Sequence, residues 1–178
     1  VLMTALVFGG TASGKSEFAE TLAAQGKQRT RIYLATMEPF GQEGQNRIAR
    51  HRLLRREKGF VTLEQYTALK SLHVESGSTV LLEDLGNLCA NEMFSPAGCG
   101  GSRAYWEIRE GISTLCAQAE RIVIVSNDIF SGCEQYEGEM ADYLSLMDGL
   151  HQWIAGFADL VVEVVCGIPI YHKGGQAC

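Results

Sequence analysis

A three-layer α/β fold, one mostly parallel sheet with helices on both faces, is the class this 178-residue sequence predicts, and three observations carry it. Strand-like apolar runs alternate with segments whose apolar residues recur every three or four positions, the pattern of strands joined by helical crossovers. The first run, Ala5-Leu6-Val7-Phe8, opens directly into Gly9-Gly10-Thr11-Ala12-Ser13-Gly14-Lys15-Ser16, which fits G-x-x-x-x-G-K-[ST] and has the strand-turn-helix setting that phosphate-loop motif requires. The last two β-rich runs are parted only by Cys166-Gly167-Ile168-Pro169, too short for a crossover, so they form an antiparallel hairpin at the sheet edge. The three together make the fold a P-loop NTPase type, parallel except for that C-terminal hairpin.

In chain order, strands are expected near Thr4–Phe8, Arg31–Ala35, Val61–Glu64, Thr79–Glu83, Arg121–Ser126, Leu160–Val165 and Ile168–His172. Helical periodicity places helices near Lys15–Gln25, Gln45–Lys58, Tyr66–His73, Arg103–Ala119 and Gly138–Phe157. Residues 1–173 make one nucleotide-binding domain, and the Gly174-Gly175-Gln176-Ala177-Cys178 tail is expected to fray. Two loops, Met37–Gly44 and Ser95–Gly101, carry turn chemistry without an obvious role in the fold.

Composition narrows the function classes. Hydrophobic residues at 46% and charged ones at 20% suit a globular domain, and no apolar stretch approaches the roughly 18 residues of a membrane span. The N-terminal apolar segment lacks a basic flank and a small-residue cleavage site, so it reads as a core strand, and a cytoplasmic location is expected. A net charge of −6 argues against nucleic acid as a partner, because affinity for a duplex comes mainly from neutralised phosphates. The six cysteines include no C-x-x-C pair and are expected to be reduced, mostly buried thiols.

The phosphate loop carries the chemistry. Glycines let the backbone close round an anion, successive N–H groups of Gly9, Gly10, Thr11, Ala12, Ser13 and Gly14 can point inward, and a helix starting near Lys15 adds its positive dipole end. Lys15 is expected on the β and γ phosphates, and Ser16 on Mg²⁺. The run Val80-Leu81-Leu82 ends in Glu83-Asp84, where phosphate-loop enzymes hold Mg²⁺ or contact ribose or substrate; Asp84 can equally cap a following helix. Ile122–Val125 ends in Ser126-Asn127-Asp128, which can read a base, a ribose or a metal-bound water, or form a plain turn. In open parallel sheets ligands lie outside the carboxyl ends of the strands, where all of these groups fall.

Between Arg47 and Arg56 the chain gathers five arginines round His51, with Arg47 and His51 four residues apart on one helical face. Three readings stand: a solvated basic face, an arginine lid over a transferring phosphoryl group, or His51 as a nucleophile at phosphorus with arginines holding the departing phosphates. His73, His151 and His172 are isolated and read as structural or surface residues.

With these residues in place the chain resembles the bifunctional adenosylcobinamide kinase / adenosylcobinamide-phosphate guanylyltransferase family of cobalamin biosynthesis. The resemblance rests on Val7–Ser16, Tyr33-Leu34-Ala35-Thr36, Arg47-Ile48-Ala49-Arg50-His51, Leu81-Leu82-Glu83, Asn91, Val125-Ser126-Asn127, and Ala158-Asp159 through Gly167-Ile168-Pro169. It implies a two-step enzyme using GTP and ATP with Mg²⁺: phosphorylation of the aminopropanol hydroxyl of adenosylcobinamide, then transfer of GMP from GTP through a guanylyl-histidine. His51 matches the guanylylated histidine and Glu83 the acid at that strand end. The resemblance also implies a homo-oligomer, a trimer, with the nucleotide near a subunit boundary. Arg50 stands where many members have a second histidine, Asp84 where cysteine is frequent, and His151 where asparagine is frequent; the stretch from Ile129 to Tyr143 departs from the commoner pattern.

Two other functions compete. A small-metabolite kinase of the same fold would use Arg47–Arg56 as a lid and never carry nucleotide covalently. A GTP-dependent regulatory module fits less well, because Asp84-Leu85-Gly86-Asn87 lacks the glycine of a D-x-x-G switch and Ser126-Asn127-Asp128 lacks the lysine of an N-K-x-D guanine reader.

Overall fold

Strands that are apolar on both sides must be covered on both faces, and the computed structural model, which describes residues 3–25, 30–39, 56–128 and 136–175, meets that demand with three layers. The described elements are β1 (Met3–Gly9), α1 (Lys15–Ala24), β2 (Arg31–Ala35), β3 (Val61–Glu64), β4 (Thr79–Glu83), α2 (Leu85–Phe94), α3 (Gly101–Gln118), β5 (Arg121–Asn127), α4 (Glu139–Phe157), β6 (Leu160–Val165) and β7 (Ile168–Lys173). They form one sheet in the order β3-β2-β4-β5-β1-β6-β7. Each neighbouring pair is parallel except β6 with β7, which is the antiparallel hairpin expected at the edge.

The two-residue alternation of each strand divides the core. On one face, Leu6, Ile32, Leu34, Val80, Leu82, Ile122 and Ile124 meet α2, α3 and α4 through Leu88, Ile108, Ile112, Leu115, Met147, Leu150 and Ile154. On the other, Ala5, Val7, Tyr33, Leu81, Val123, Val125 and Val162 pack against Ala19 and Ala23 of α1 and against Phe60. Alanines one turn apart let α1 lie close to the central strand, so its N-terminus sits directly over the carboxyl end of β1.

Two expectations change. The helix expected over Tyr66–His73 is only a 3-10 turn at Leu69–Ser71. Ala68 takes φ 50, its N–H is held by the buried Glu92 carboxylate at 2.7 Å, and Leu69 is driven against Gly111 of α3, where a Cβ would lie 2.7 Å from the leucine; these anchors stop a longer helix. Conversely, Leu85–Phe94 was not among the expected helices, and it forms α2, with Asp84 accepting the Asn87 N–H at 2.7 Å as its N-cap. The Ser95–Gly101 loop is then the tight link from α2 to α3, pinned by Glu92 through the Cys99 N–H at 3.1 Å.

The basic helix expected at Gln45–Lys58 falls outside the described residues except for its last three positions, and so does most of the Met37–Gly44 loop. Of the cysteines, Cys89 is buried, Cys99 and Cys116 are partly covered and Cys166 is exposed, all four as free thiols. Cys133 and Cys178 lie outside the described residues. No helix among the described residues is long and apolar enough to cross a membrane.

Candidate nucleotide site

The loop from Gly9 to Gly14 joins β1 to α1, and its glycines are required by space as well as by conformation. A Cβ on Gly9 would lie 2.4 Å from the Val164 carbonyl oxygen, and Gly14 takes φ 91, a left-handed conformation that side chains resist. Ala12 also has a positive φ, 56, so the loop turns twice within three residues. No side chain caps α1. Its first N–H groups are therefore open to an anion, and the helix dipole adds to that preference.

Lys15, the first residue of α1, is only 9% exposed; its Nζ lies over the loop and donates to the Gly10 carbonyl at 3.1 Å. The next side chain crosses to β4: Ser16 Oγ donates to Glu83 Oε1 at 2.5 Å. Glu83 Oε2 is buried and has no hydrogen-bond partner among the described residues. A hydroxyl joined to a carboxylate with one orphaned oxygen is a donor set that fits a Mg²⁺ ion, which keeps most of its shell for water and phosphate oxygens. Ser13 Oγ, inside the loop, is likewise buried and unpartnered.

Beside Glu83, Asp84 does two jobs. Its Oδ1 caps α2, while Oδ2 accepts from Asn87 Nδ2 at 3.1 Å and lies 3.5 Å from Asn127 Nδ2 at the end of β5. Burial raises the Asp84 pKa; the Asn87 N–H, the Lys15 charge and the Asn127 amide pull it back. Thr36, at the end of β2, donates to the Asp84 carbonyl at 2.8 Å, and Asn91 Nδ2 donates to the carbonyls of Thr36 at 2.7 Å and Tyr66 at 3.0 Å. These bonds tie the carboxyl ends of β2, β4 and β5 to the start of α2.

The structure thus brings Gly9, Gly10, Thr11, Ala12, Ser13, Gly14, Lys15, Ser16, Glu83, Asp84 and Asn127 to one edge of the sheet, with β5 lying between the strands of the loop and of the acids. His51, Arg47 and Arg50 lie outside the described residues. Among the histidines read as structural, His151 Nε2 is 2.7 Å from the buried Ser126 Oγ, with its pKa lowered by burial against the pull of Asp148 and Asp128. His172 pairs with Glu163 at 3.0 Å and stacks on Phe8, and His73 is exposed.

Sequence reasoning missed one neighbour of the loop. The Gly167 N–H, in the β6–β7 turn, donates to the Ser13 carbonyl at 2.7 Å, so the edge hairpin bears on the phosphate loop itself. The adjacent glycine in a two-residue hairpin link was the available signal.

Residues 5–171 match the model of the family described as cobinamide kinase / cobinamide phosphate guanyltransferase. The bifunctional adenosylcobalamin biosynthesis protein CobP of Pseudomonas aeruginosa is 31% identical over 97% of this chain and 98% of its own length. The corresponding protein of Escherichia coli K12, CobU, is 29% identical over 96% of this chain and the whole of its own. Among solved structures, a KaiC-like protein of Pyrococcus horikoshii superposes with a TM-score of 0.52 at 11% identity, over 90% of this chain and 70% of its own. The flagellar accessory protein FlaH of Methanocaldococcus jannaschii gives 0.50 at 13%, over 98% and 80%. At such identities these two structures speak to the fold alone.

Proposed function

The chain belongs to the cobinamide kinase / cobinamide phosphate guanyltransferase family, and from that premise we propose that it phosphorylates adenosylcobinamide and then transfers GMP from GTP to adenosylcobinamide phosphate. The observation that carries the reading is the junction of Lys15, Ser16 and Glu83, a lysine and a hydroxyl-carboxylate pair at the open N-terminus of α1.

In the kinase step the substrate hydroxyl oxygen bonds to the γ phosphorus as the bond to the β–γ bridging oxygen breaks, its proton passes to water, and the nucleoside diphosphate leaves. The loop N–H groups and Lys15 hold the phosphates and offset the negative charge that gathers on the leaving oxygens. Ser16 and Glu83 would hold Mg²⁺, which when bound neutralises charge on the β and γ oxygens. In the second step the His51 imidazole nitrogen bonds to the α phosphorus of GTP and pyrophosphate departs. A phosphate oxygen of adenosylcobinamide phosphate then displaces the histidine, giving adenosylcobinamide-GDP. Arg47 and its neighbouring arginines favour the neutral imidazole that this attack needs and stabilise the departing pyrophosphate. In the same reading the protein acts in the cytoplasm as a homo-oligomer, a trimer, which sedimentation velocity tests.

The deciding experiment uses GTP labelled at the α phosphorus. Wild-type protein with Mg²⁺ takes up label that is acid-labile and base-stable, as a phosphoramidate must be; γ-labelled GTP leaves none in that adduct, and His51→Asn binds GTP yet carries no label. Turnover of substrate without α label would sink the transferase step and leave a kinase in which Arg47–Arg56 is a lid.

A further inference from the structure

We propose that Thr36 is a positioning residue for the site, gripping the main chain on both sides of the Glu83–Asp84 peptide so that the Glu83 carboxylate keeps the separation from Ser16 at which the pair can serve one Mg²⁺ ion. The inference rests on the reading of Ser16 and Glu83 given above and adds the group that sets their separation.

β4 loses its support unevenly as it nears the site. Its pairing with β5 runs only to Leu82, opposite Ile124, whereas its pairing with β2 runs one residue further, to Glu83 opposite Ala35. Glu83 is therefore steadied from the β2 side, and the residue that follows β2 is Thr36. The Thr36 N–H donates to the Glu83 carbonyl at 3.1 Å, and its Oγ1 donates to the Asp84 carbonyl at 2.8 Å. One residue thus holds two successive carbonyls where the ladder ends.

The Glu83 side chain needs such a hold. Its Oε1 meets Ser16 Oγ at 2.5 Å, and Oε2 has no partner among the described residues. A side chain with three rotatable bonds and one hydrogen bond keeps a set separation from Ser16 only if the main chain beneath it is fixed. Ser16 is already fixed by its place in the first turn of α1.

Burial and bonding at Thr36 fit positioning better than stability. Its side chain lies in the fully buried end of β2, where a valine of the same shape would bring no polar group to desolvate. The Asp84 carbonyl also accepts the Leu88 N–H at 3.2 Å, the first bond of α2, so it has a partner without the threonine. Branching at Cβ restricts χ1 and keeps the hydroxyl aimed. The Thr36 carbonyl is in turn held by Asn91 Nδ2 at 2.7 Å, and the same amide donates to the Tyr66 carbonyl at 3.0 Å, which anchors the threonine to α2 and to the chain beyond β3.

The test measures GTP affinity by calorimetry with Mg²⁺ and again in EDTA, and takes the ratio as the gain due to the metal. Thr36→Val is expected to cut that gain about tenfold while the affinity in EDTA stays within about twofold of wild type. Thr36→Ser, which keeps the hydroxyl, should hold the gain within about twofold of wild type. Asn91→Leu, which releases the Thr36 carbonyl, should cut the gain about threefold, and it carries the test if Thr36→Val does not fold. An unchanged gain in Thr36→Val, equal losses with and without the metal, or a Thr36→Ser protein that behaves like Thr36→Val overturns the role of Thr36 alone. Glu83→Gln separates the two levels: it should remove most of the gain, and a wild-type gain in that variant would bring down the metal reading and this inference together.

Discussion

Where the phosphate loop faces β4 and β5 it meets the Ser16–Glu83 bond, Asp84 and Asn127, side chains suited to charge and protons; where it faces the β6–β7 hairpin it meets backbone, the Gly167 N–H and the Val164 carbonyl. The two flanks share one central strand and lie on either side of it. The contrast teaches that a loop built of main-chain N–H groups draws its side-chain chemistry from one flank and its backbone support from the other.

The comparison can be broken most forcefully at Lys15. Replacing it by alanine removes the buried cation from the polar flank and should weaken triphosphate binding on the order of a hundredfold, about 3 kcal/mol, by calorimetry. Wild-type affinity in that variant would mean that the loop does not hold the phosphates.

Next in size is a contrast between adjacent acids. Glu83→Gln should lower Mg²⁺-dependent turnover by on the order of tenfold or more while the Tm moves little, because its free oxygen has no structural partner to lose. Asp84→Ala removes a helix cap, so it should cost about 1 kcal/mol of stability and lower the Tm by about 3 °C, with Asp84→Asn recovering most of it. Equal Tm losses in Glu83→Gln and Asp84→Ala would erase the division of labour between the two.

The smallest expected effect concerns pH. Burial lowers the His151 pKa from its usual 6.5, so the folded protein binds a proton there less readily than the unfolded chain. The stability this lends is fully present above 6.5 and is lost as pH falls from there toward the lower folded value. Thermal melts between about pH 7.5 and 5 should therefore fall more steeply for wild type than for His151→Gln, which keeps a hydrogen-bonding group beside Ser126. Parallel pH profiles would mean that His151 is not the group whose protonation weakens the fold.

How much of this was legible in the sequence depended on whether the signal was local. The seven strands, α1 and the loop were readable because alternation, apolar runs and the Gly-Lys-Ser spacing are written within a few residues of one another. The short α2 is not among the expected helices, although Asp84 is weighed there as a cap and Leu85, Leu88, Cys89 and Glu92 follow helical spacing, because its 10 residues show that period over only about three turns. The helix expected at Tyr66–His73 failed for the opposite reason: Glu92 and Gly111, distant in sequence, decide that turn. The dual role of Asp84 and the pairing of Gly167 with Ser13 could not be read locally, since each joins residues that only the sheet order brings together. The Arg47–His51 cluster, which carries the transfer step of the proposal, lies outside the described residues.

The order β4-β5-β1-β6 has a consequence for biosynthesis. β1 carries the phosphate loop, yet its hydrogen-bonded neighbours are β5, with Met3 opposite Arg121, and β6, with Ala5 opposite Leu160. Contacts so far apart in sequence form slowly, because the loop between them must be closed before they stabilise anything. As the chain leaves the ribosome β1 emerges before both of these strands, so among the described elements it gains a sheet partner when β5 has emerged and is enclosed when β6 follows. The anion-binding loop is thus made before the strands that flank it and takes its working shape only after they follow, so the nascent protein gains its triphosphate site only when β5 and β6 have been synthesised.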